Sequence, residues 1–297
     1  MATERELNKR IKSIKNISQV TSALAAVSAS KASRAQKQVE ATRDYASKAF
    51  EILNNLASQP EAAHPLLTVR EKIQNTSLIL ITGDRGLAGA YNTNIINRTE
   101  TFIKALDTPA QVIAVGRKGR DIMIRRGYNV VATFGNPDTP SILDISPIAR
   151  IVTEDYLSGK VDQVFIAYTD FINLINRHPT VKQLLPLKPL DFEGMAVAEY
   201  VQSVDLSGVS KRAYSYEPEP DALLDTIVPR FTQLQVYQSI LEALASEHSA
   251  RMVAMNNATD NAGELIDILT LERNKARQSS ITSEILDIVG GAEALKG

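Results

Sequence analysis

The sequence predicts an α/β fold in two parts. One is a long antiparallel, left-handed coiled coil made by the N- and C-terminal helices, and the other is a Rossmann-like α/β domain between them. Three observations predict it. Residues 1–59 contain neither glycine nor proline, residues 230–297 contain no proline, and all twelve prolines fall between Pro60 and Pro229. Both ends carry apolar or small residues at alternating spacings of four and three. The middle alternates short β-rich runs with helical stretches, the pattern of a mostly parallel sheet. The expected divisions are residues 1–59 and 220–297 for the paired helices and 76–208 for the α/β domain.

At the N-terminal end the repeat runs Leu7, Ile11, Ile14, Ser18, Thr21, Ala25, Ser28, Ala32, Ala35, Val39, Thr42, Ala46, Ala49, Leu53 and Leu56. This is a heptad seam, and about 55 helical residues would span roughly 80 Å. From Ser22 to Ala35 the segment is almost all alanine and serine. Such small side chains either let a partner helix approach closely or simply reflect high helix propensity; they bury little apolar area.

Short strands are expected at Ser77–Thr82, Gln111–Val115, Tyr128–Ala132 and Val161–Tyr168, with helices running to about Leu106, around Asp121–Arg126 and over Ser141–Ser158. Val181–Leu187, with Pro186 and Pro189 nearby, suits an edge strand or hairpin. The first strand is followed by Gly83-Asp84-Arg85-Gly86-Leu87-Ala88-Gly89 at the start of a helix. A phosphate-binding loop would sit there, but the spacing is G-x-x-G-x-x-G and no P-loop lysine follows. The other reading is a tight strand-to-helix turn in which Asp84 or Asn92 satisfies backbone donors.

The C-terminal seam runs Ile227, Phe231, Leu234, Gln238, Leu241, Ala245, His248, Met252, Met255, Thr259, Ala262, Ile266 and Leu269. A 3.5-residue repeat on a 3.6-residue helix implies a left-handed supercoil, and two helices from opposite ends of one chain can pair antiparallel. Polar seam members set register; His248 reads as a satisfied interfacial histidine or as a pH switch. Past Leu269 the stripe meets Arg273, then apolar residues return at Ile281, Ile285, Leu286, Ile288 and Val289. That end is either frayed or inserted into a partner, and the returning apolar residues favour a partner.

Composition excludes several classes. With no cysteine in 297 residues, disulfides, thiolate catalysis and cysteine metal sites are absent. Three scattered histidines make no metal cluster, and no catalytic triad order or metal-ligand spacing stands out. The net charge is −1, yet residues 1–37 hold eight basic groups (Lys9 and Arg10 among them) against two acidic ones. Tyr45 is the first aromatic, so stacking on nucleic acid is not expected. No apolar run suits a membrane helix or signal peptide, and the chain reads as soluble and intracellular.

The block Ser246-Glu-His-Ser-Ala-Arg-Met-Val-Ala-Met-Asn-Asn-Ala-Thr-Asp-Asn-Ala262, followed by Asn274-Lys-Ala-Arg-Gln-Ser-Ser-Ile-Thr-Ser-Glu-Ile-Leu-Asp-Ile-Val-Gly-Gly-Ala292, resembles the gamma subunits of F-type (F1Fo) ATP synthases. So do Arg10–Ala23, Asp84–Asn92 and Tyr214–Pro218. The chain has Ala88 where that family often has cysteine, and lacks the photosynthetic cysteine-bearing insertion, so thiol control is not expected.

The resemblance implies a central-stalk rotor shaft without catalytic residues, metal or cofactor. Its coiled coil would stand inside an alpha3beta3 hexamer, with the α/β domain beside the epsilon subunit and on the membrane ring of c subunits. It implies partner contacts for Arg277, Gln278 and Thr282 near the tip, for Arg251, Lys9 and Arg10 along the shaft, and for Tyr214, Tyr216 and Glu217 in the foot. Nucleotide and nucleic acid would not be bound directly. Membrane association would come only through the complex, at the cytoplasmic face of a bacterial membrane or the organellar equivalent for a processed chain.

Overall fold

The computed structural model describes residues 3–57, 64–187 and 220–294. Its elements are helix α1 (Glu4–Ala57), a 3₁₀ turn (Pro65–Leu67), β1 (Thr76–Ile81), α2 (Tyr91–Lys104), β2 (Ala110–Val115), α3 (Arg117–Arg125), β3 (Asn129–Phe134), α4 (Ile142–Leu157), β4 (Gln163–Phe171), β5 (Arg177–Leu185) and α5 (Pro220–Ala294). The chain divides into two compact units, residues 1–28 with 251–297, and residues 29–250; α1 and α5 contribute to both.

In the unit of residues 29–250 the five strands lie in the order β3-β2-β1-β4-β5. The first four are parallel, and β5 pairs antiparallel with β4 as a hairpin. All six residues of β1 are buried, as a central strand covered on both faces requires. The strand period of two divides them. Leu78 and Leu80 join Val112, Ile95, Ile96 and Met123 under α2 and α3, while Ile79 and Ile81 join Ile113, Val115 and the α4 residues Ile145, Ile148 and Val152 on the other face. That second core also takes in Ala35, Val39, Leu53 and Leu56 of α1 and Leu224, Val228, Phe231, Leu241 and Ala245 of α5. Tyr45, Ala49 and Ile52 of α1 line one groove with Ile227, Phe231 and Leu234 of α5. In the other unit Asn8 meets Arg273 and Thr21 meets Thr259, so rising numbers on α1 meet falling numbers on α5 and the helices pair antiparallel.

The expected strands and helices are all present, with ends shifted by a few residues. β5 starts earlier than Val181 because the β4–β5 ladder continues out to the Phe171–Arg177 pair. α3 begins at Arg117, directly after Gly116. α4 carries a capping box in which the Ser141 side chain and Asp144 satisfy each other's backbone donors. The part of the expected α/β domain from 188 to 208 lies outside the described residues.

In the unit of residues 1–28 and 251–297 the same seam continues. Leu7, Ile11 and Leu269 form a small core with Ile14, Ile266 and Ala276 against it. The hydroxyls of Thr21 and Thr259 meet at 2.7 Å. Across both units, all fifteen seam positions of α1 are buried or half-buried.

Two local features have measurable consequences. Gly116 has φ +96°, and a Cβ there would sit 2.0 Å from the Thr82 carbonyl oxygen. Neither atom can retreat: Thr82 N donates to Val115 O at 2.8 Å, and Gly116 N donates to Phe134 O at 2.9 Å. His64 is buried; its Nδ1 accepts from Leu66 N at 3.1 Å, and its Nε2 lies 3.5 Å from Asp225 Oδ1. Burial lowers the His64 pKa from its ordinary 6.5 by more than Asp225 raises it.

Gly116→Ala is expected to lower unfolding free energy by ~3 kcal/mol or more, from positive-φ strain plus the backbone collision. Gly135→Ala, with nothing near its missing Cβ, should stay within ~0.5 kcal/mol; equal losses in urea titrations of the purified chain would refute the collision. For His64, a lowered folded pKa means the unfolded chain binds the proton more readily. The stabilisation is then full above the ordinary value of 6.5 and lost as pH falls through the folded value. His64→Asn keeps a side-chain acceptor but cannot titrate in this range, so it should flatten the fall in stability between about pH 7 and pH 5. An unaltered slope would remove His64 as its source.

Candidate functional site

Three places could carry function: the carboxyl edge of the sheet, the tip of α5, and the charged faces of the helix pair. At the carboxyl edge, chain order runs outward from β1 through β2 to β3 and then returns to β4 on the other side of β1. The crevice beyond the ends of β1 and β4 is the topological switch point, where open α/β sheets bind their ligands. The glycine turn leads out of it.

Here the crevice is filled from within the chain. From Leu234 to Ala250 every residue of α5 is buried except the half-buried Tyr237. Ser246 Oγ donates to Thr169 O of β4 at 3.1 Å, and Tyr91 Oη at the start of α2 donates to Ala243 O at 3.0 Å. Ala88 of the turn, Tyr91 and Ala250 form an apolar contact beside them. A Cβ at Gly83 would lie 2.7 Å from the Cδ and Oε1 of Glu247 and 2.9 Å from its Oε2, so that carboxyl group rests directly on the turn.

The turn's polar side chains hold its own backbone and the start of α3. Asn92 Oδ1 accepts from Gly83 N at 2.9 Å, and Asp84 Oδ1 accepts from Arg117 N at 2.8 Å. Of the two readings of the glycine pattern, the structure has the strand-to-helix turn. Leu87 adopts φ +64° there and is 65 % exposed.

The tip of α5 is the opposite case. α1 begins at Glu4, and the last contact of the helix-pair core on α5 is Ala276. From Arg277 to Ala292 every residue is exposed, including Ile281, Ile285, Leu286, Ile288 and Val289. Arg277 and Gln278 open this stretch. Thr282 Oγ1 donates back to Gln278 O at 2.9 Å, which places Gln278 and Thr282 on one face.

Lys9 and Arg10 are exposed on α1 beside Asn8, whose Oδ1 accepts from Arg273 Nη1 at 3.5 Å. Arg273 is one turn before Arg277, about 6 Å along the axis. Lys9, Arg10, Arg277, Gln278 and Thr282 therefore lie around the same end of the helix pair. Arg251 is half-buried and stands apart from them, about seven turns back along α5. Tyr214, Tyr216 and Glu217 lie outside the described residues.

Sequence reasoning missed the filling of the crevice. Glu247 sits between two seam positions of α5, and nothing local distinguishes it from a solvated glutamate. Three glycines followed by Tyr91 could have suggested a close backbone approach, but not which helix approaches.

A family model described as ATP synthase matches residues 3–295. The ATP synthase gamma chain of Dehalococcoides mccartyi is 44% identical over 299 residues, covering 99% of this chain and 100% of that relative. The gamma chain of Moorella thermoacetica is 42% identical over 299 residues, covering 100% of both. Among solved structures, a chain of the Euglena gracilis mitochondrial ATP synthase in rotational state 3 superposes with a TM-score of 0.66 at 18% identity, over 98% of this chain and 94% of its own. A chain of the Tetrahymena thermophila mitochondrial ATP synthase central stalk and c-ring gives 0.58 at 23% identity, over 80% and 99%. These two carry the fold, and the full-length relatives carry the assignment: this chain belongs to the gamma-chain family of the F-type ATP synthases.

Proposed function

We propose that the chain is the central rotor shaft of an F-type ATP synthase, coupling rotation of a proton-driven c ring to conformational change at catalytic beta subunits, and the reverse on ATP hydrolysis. The observation that carries this reading is the tip of α5. A helix of exposed residues with five large aliphatic side chains gains nothing from water, and an isolated helix of that length is marginal. It is shaped for a surrounding collar, which in this reading is the apical bearing of the alpha3beta3 hexamer.

Residues 1–59 and 220–297 act as the shaft, and residues 76–208 form the body beside the epsilon subunit and above the c ring. Tyr214, Tyr216 and Glu217 belong to the foot that meets epsilon and the c ring. No helix of the described residues is long and apolar enough to cross a membrane. The chain is held at the membrane, on its cytoplasmic face, through the complex alone.

The chain itself is not catalytic. ATP chemistry belongs to beta, and the shaft biases the conformations of otherwise equivalent sites; by reciprocity, nucleotide-driven changes there turn the shaft. The exposed cations suit a part that must be gripped and released. Exposed ion pairs contribute only ~0–1 kcal/mol each, so Lys9, Arg10 and Arg277 would hold acidic loops of the ring weakly at each dwell, with the half-buried Arg251 near the lower beta contacts.

The test of membership is native mass spectrometry of complexes co-purified with the tagged chain from solubilised membranes. Three alpha and three beta subunits with one copy of this chain is the expected composition; a lone monomer from cells that contain the hexamer would overturn it. For the site, Arg277→Ala with Gln278→Ala should lower the ATPase rate of assembled complexes several-fold, about 1 kcal/mol of lost interaction. Full turnover in complexes of normal composition would take these residues out of the contact.

A further inference from the structure

We infer that Glu247 is a positioning residue that keys the α/β body onto the shaft helix, using the ligand crevice of the sheet as its keyway. The inference rests on the shaft reading above and assigns a role within it. A rotor body must turn with its shaft, and apolar packing resists a twist poorly because it is non-directional. A side chain lodged between two backbones resists it by collision.

Such lodging is what the carboxyl edge shows. Glu247 is 5% exposed, and its carboxyl group lies so close to Gly83 that a Cβ there would have to displace it. Gly83 does not move freely, since Asn92 Oδ1 accepts its N–H. One helical turn back along α5, Tyr91 Oη donates to the Ala243 carbonyl, and beside Glu247 the Ser246 hydroxyl donates to Thr169 O. Glu247 therefore directly follows two hydrogen bonds that tie α5 to α2 and to β4. On the far side of the loop after β3, Asn136 Nδ2 donates to Thr82 O at 3.1 Å, and Lys31 Nζ of α1 lies 2.6 Å from Asp138 Oδ2. The residue before Gly83 is thus tied as well. Rotation of α5 against the sheet would drive the Glu247 carboxyl into the Gly83 backbone.

Two substitutions reach the key from opposite sides. Gly83→Ala places a methyl where the carboxyl lies, and Glu247→Ala removes the carboxyl. Since both undo one contact, their effects should not add. In thermal unfolding of the purified chain, the double variant should melt with Glu247→Ala alone, because the methyl then meets no obstacle. In reconstituted vesicles of the holoenzyme, either single variant should lose proton pumping relative to ATP hydrolysed. Glu247→Gln, of the same shape, should retain it.

A merely structural glutamate would change melting and yield without moving the ratio of pumping to hydrolysis in assembled complexes. An unchanged ratio in both single variants overturns the inference, as does a double variant whose melting loss is the sum of the two. Failure of the wild-type chain to assemble with the hexamer would strike the shaft reading itself; the melting comparison on the isolated chain stands apart from that outcome.

Discussion

The residues of α5 from Leu234 to Ala250 have almost no solvent on any side, and the rest of the 29–250 unit is arranged around that constraint. A helix buried all round is normally apolar all round. This one carries Gln235, Gln238, Ser239, Glu242, Ser246, Glu247, His248 and Ser249, all buried. Each polar group taken from water costs free energy unless it is hydrogen-bonded. The helix therefore has to be fitted to particular partners, as Ser246 is to Thr169 O and the Ala243 carbonyl is to Tyr91 Oη. An apolar helix could settle at several rotations against the sheet; this one is restricted by its polar groups.

The seam with α1 meets a different demand. Where both helices also pack on the sheet core, α1 presents Leu53, Leu56 and Val39; where they have chiefly each other, it presents Ala25, Ser28 and Thr21. Small residues bury less area, so at ~25 cal/mol per Å² that stretch of the pair is held less strongly per turn. It is also thin, which fits the proposal that this segment turns inside a ring of subunits. Leu7, Ile11 and Leu269 restore a larger core near the end of the pair, and beyond Ala276 the α5 helix has no α1 left to pair with.

Much of this was legible in the sequence because it depends on period alone. The four-three spacing located every buried seam residue of α1, and the β-rich runs located β1 through β4 to within a few residues. Strand ends were less legible, since the β4–β5 ladder is extended by hairpin pairing rather than by any local preference for strand. The glycine turn was recognisable as a turn, and Asn92 and Asp84 as acceptors of backbone donors, Asn92 for Gly83 of the turn and Asp84 for Arg117 at the start of α3. Its occupant was not, because Glu247 lies far from Gly83 in sequence and is brought to it only by the fold. Lys9, Arg10, Arg251, Arg277, Gln278 and Thr282, proposed here for partner contact, were named through resemblance, and five of the six fall around one end of the helix pair.

The filled crevice also bears on why such a sheet serves in a chain that performs no chemistry. A doubly wound sheet leaves a gap at its switch point whatever its use, since the crossovers diverge there. In a ligand-binding protein a small molecule closes it, and the protein can open again. In this chain a helix closes it, and that helix continues for more than forty residues beyond. Opening the crevice would mean breaking the Tyr91–Ala243 and Ser246–Thr169 hydrogen bonds and exposing the buried face of α5. The same sheet that elsewhere provides a site thus provides an attachment point, and fold alone would have misassigned the function.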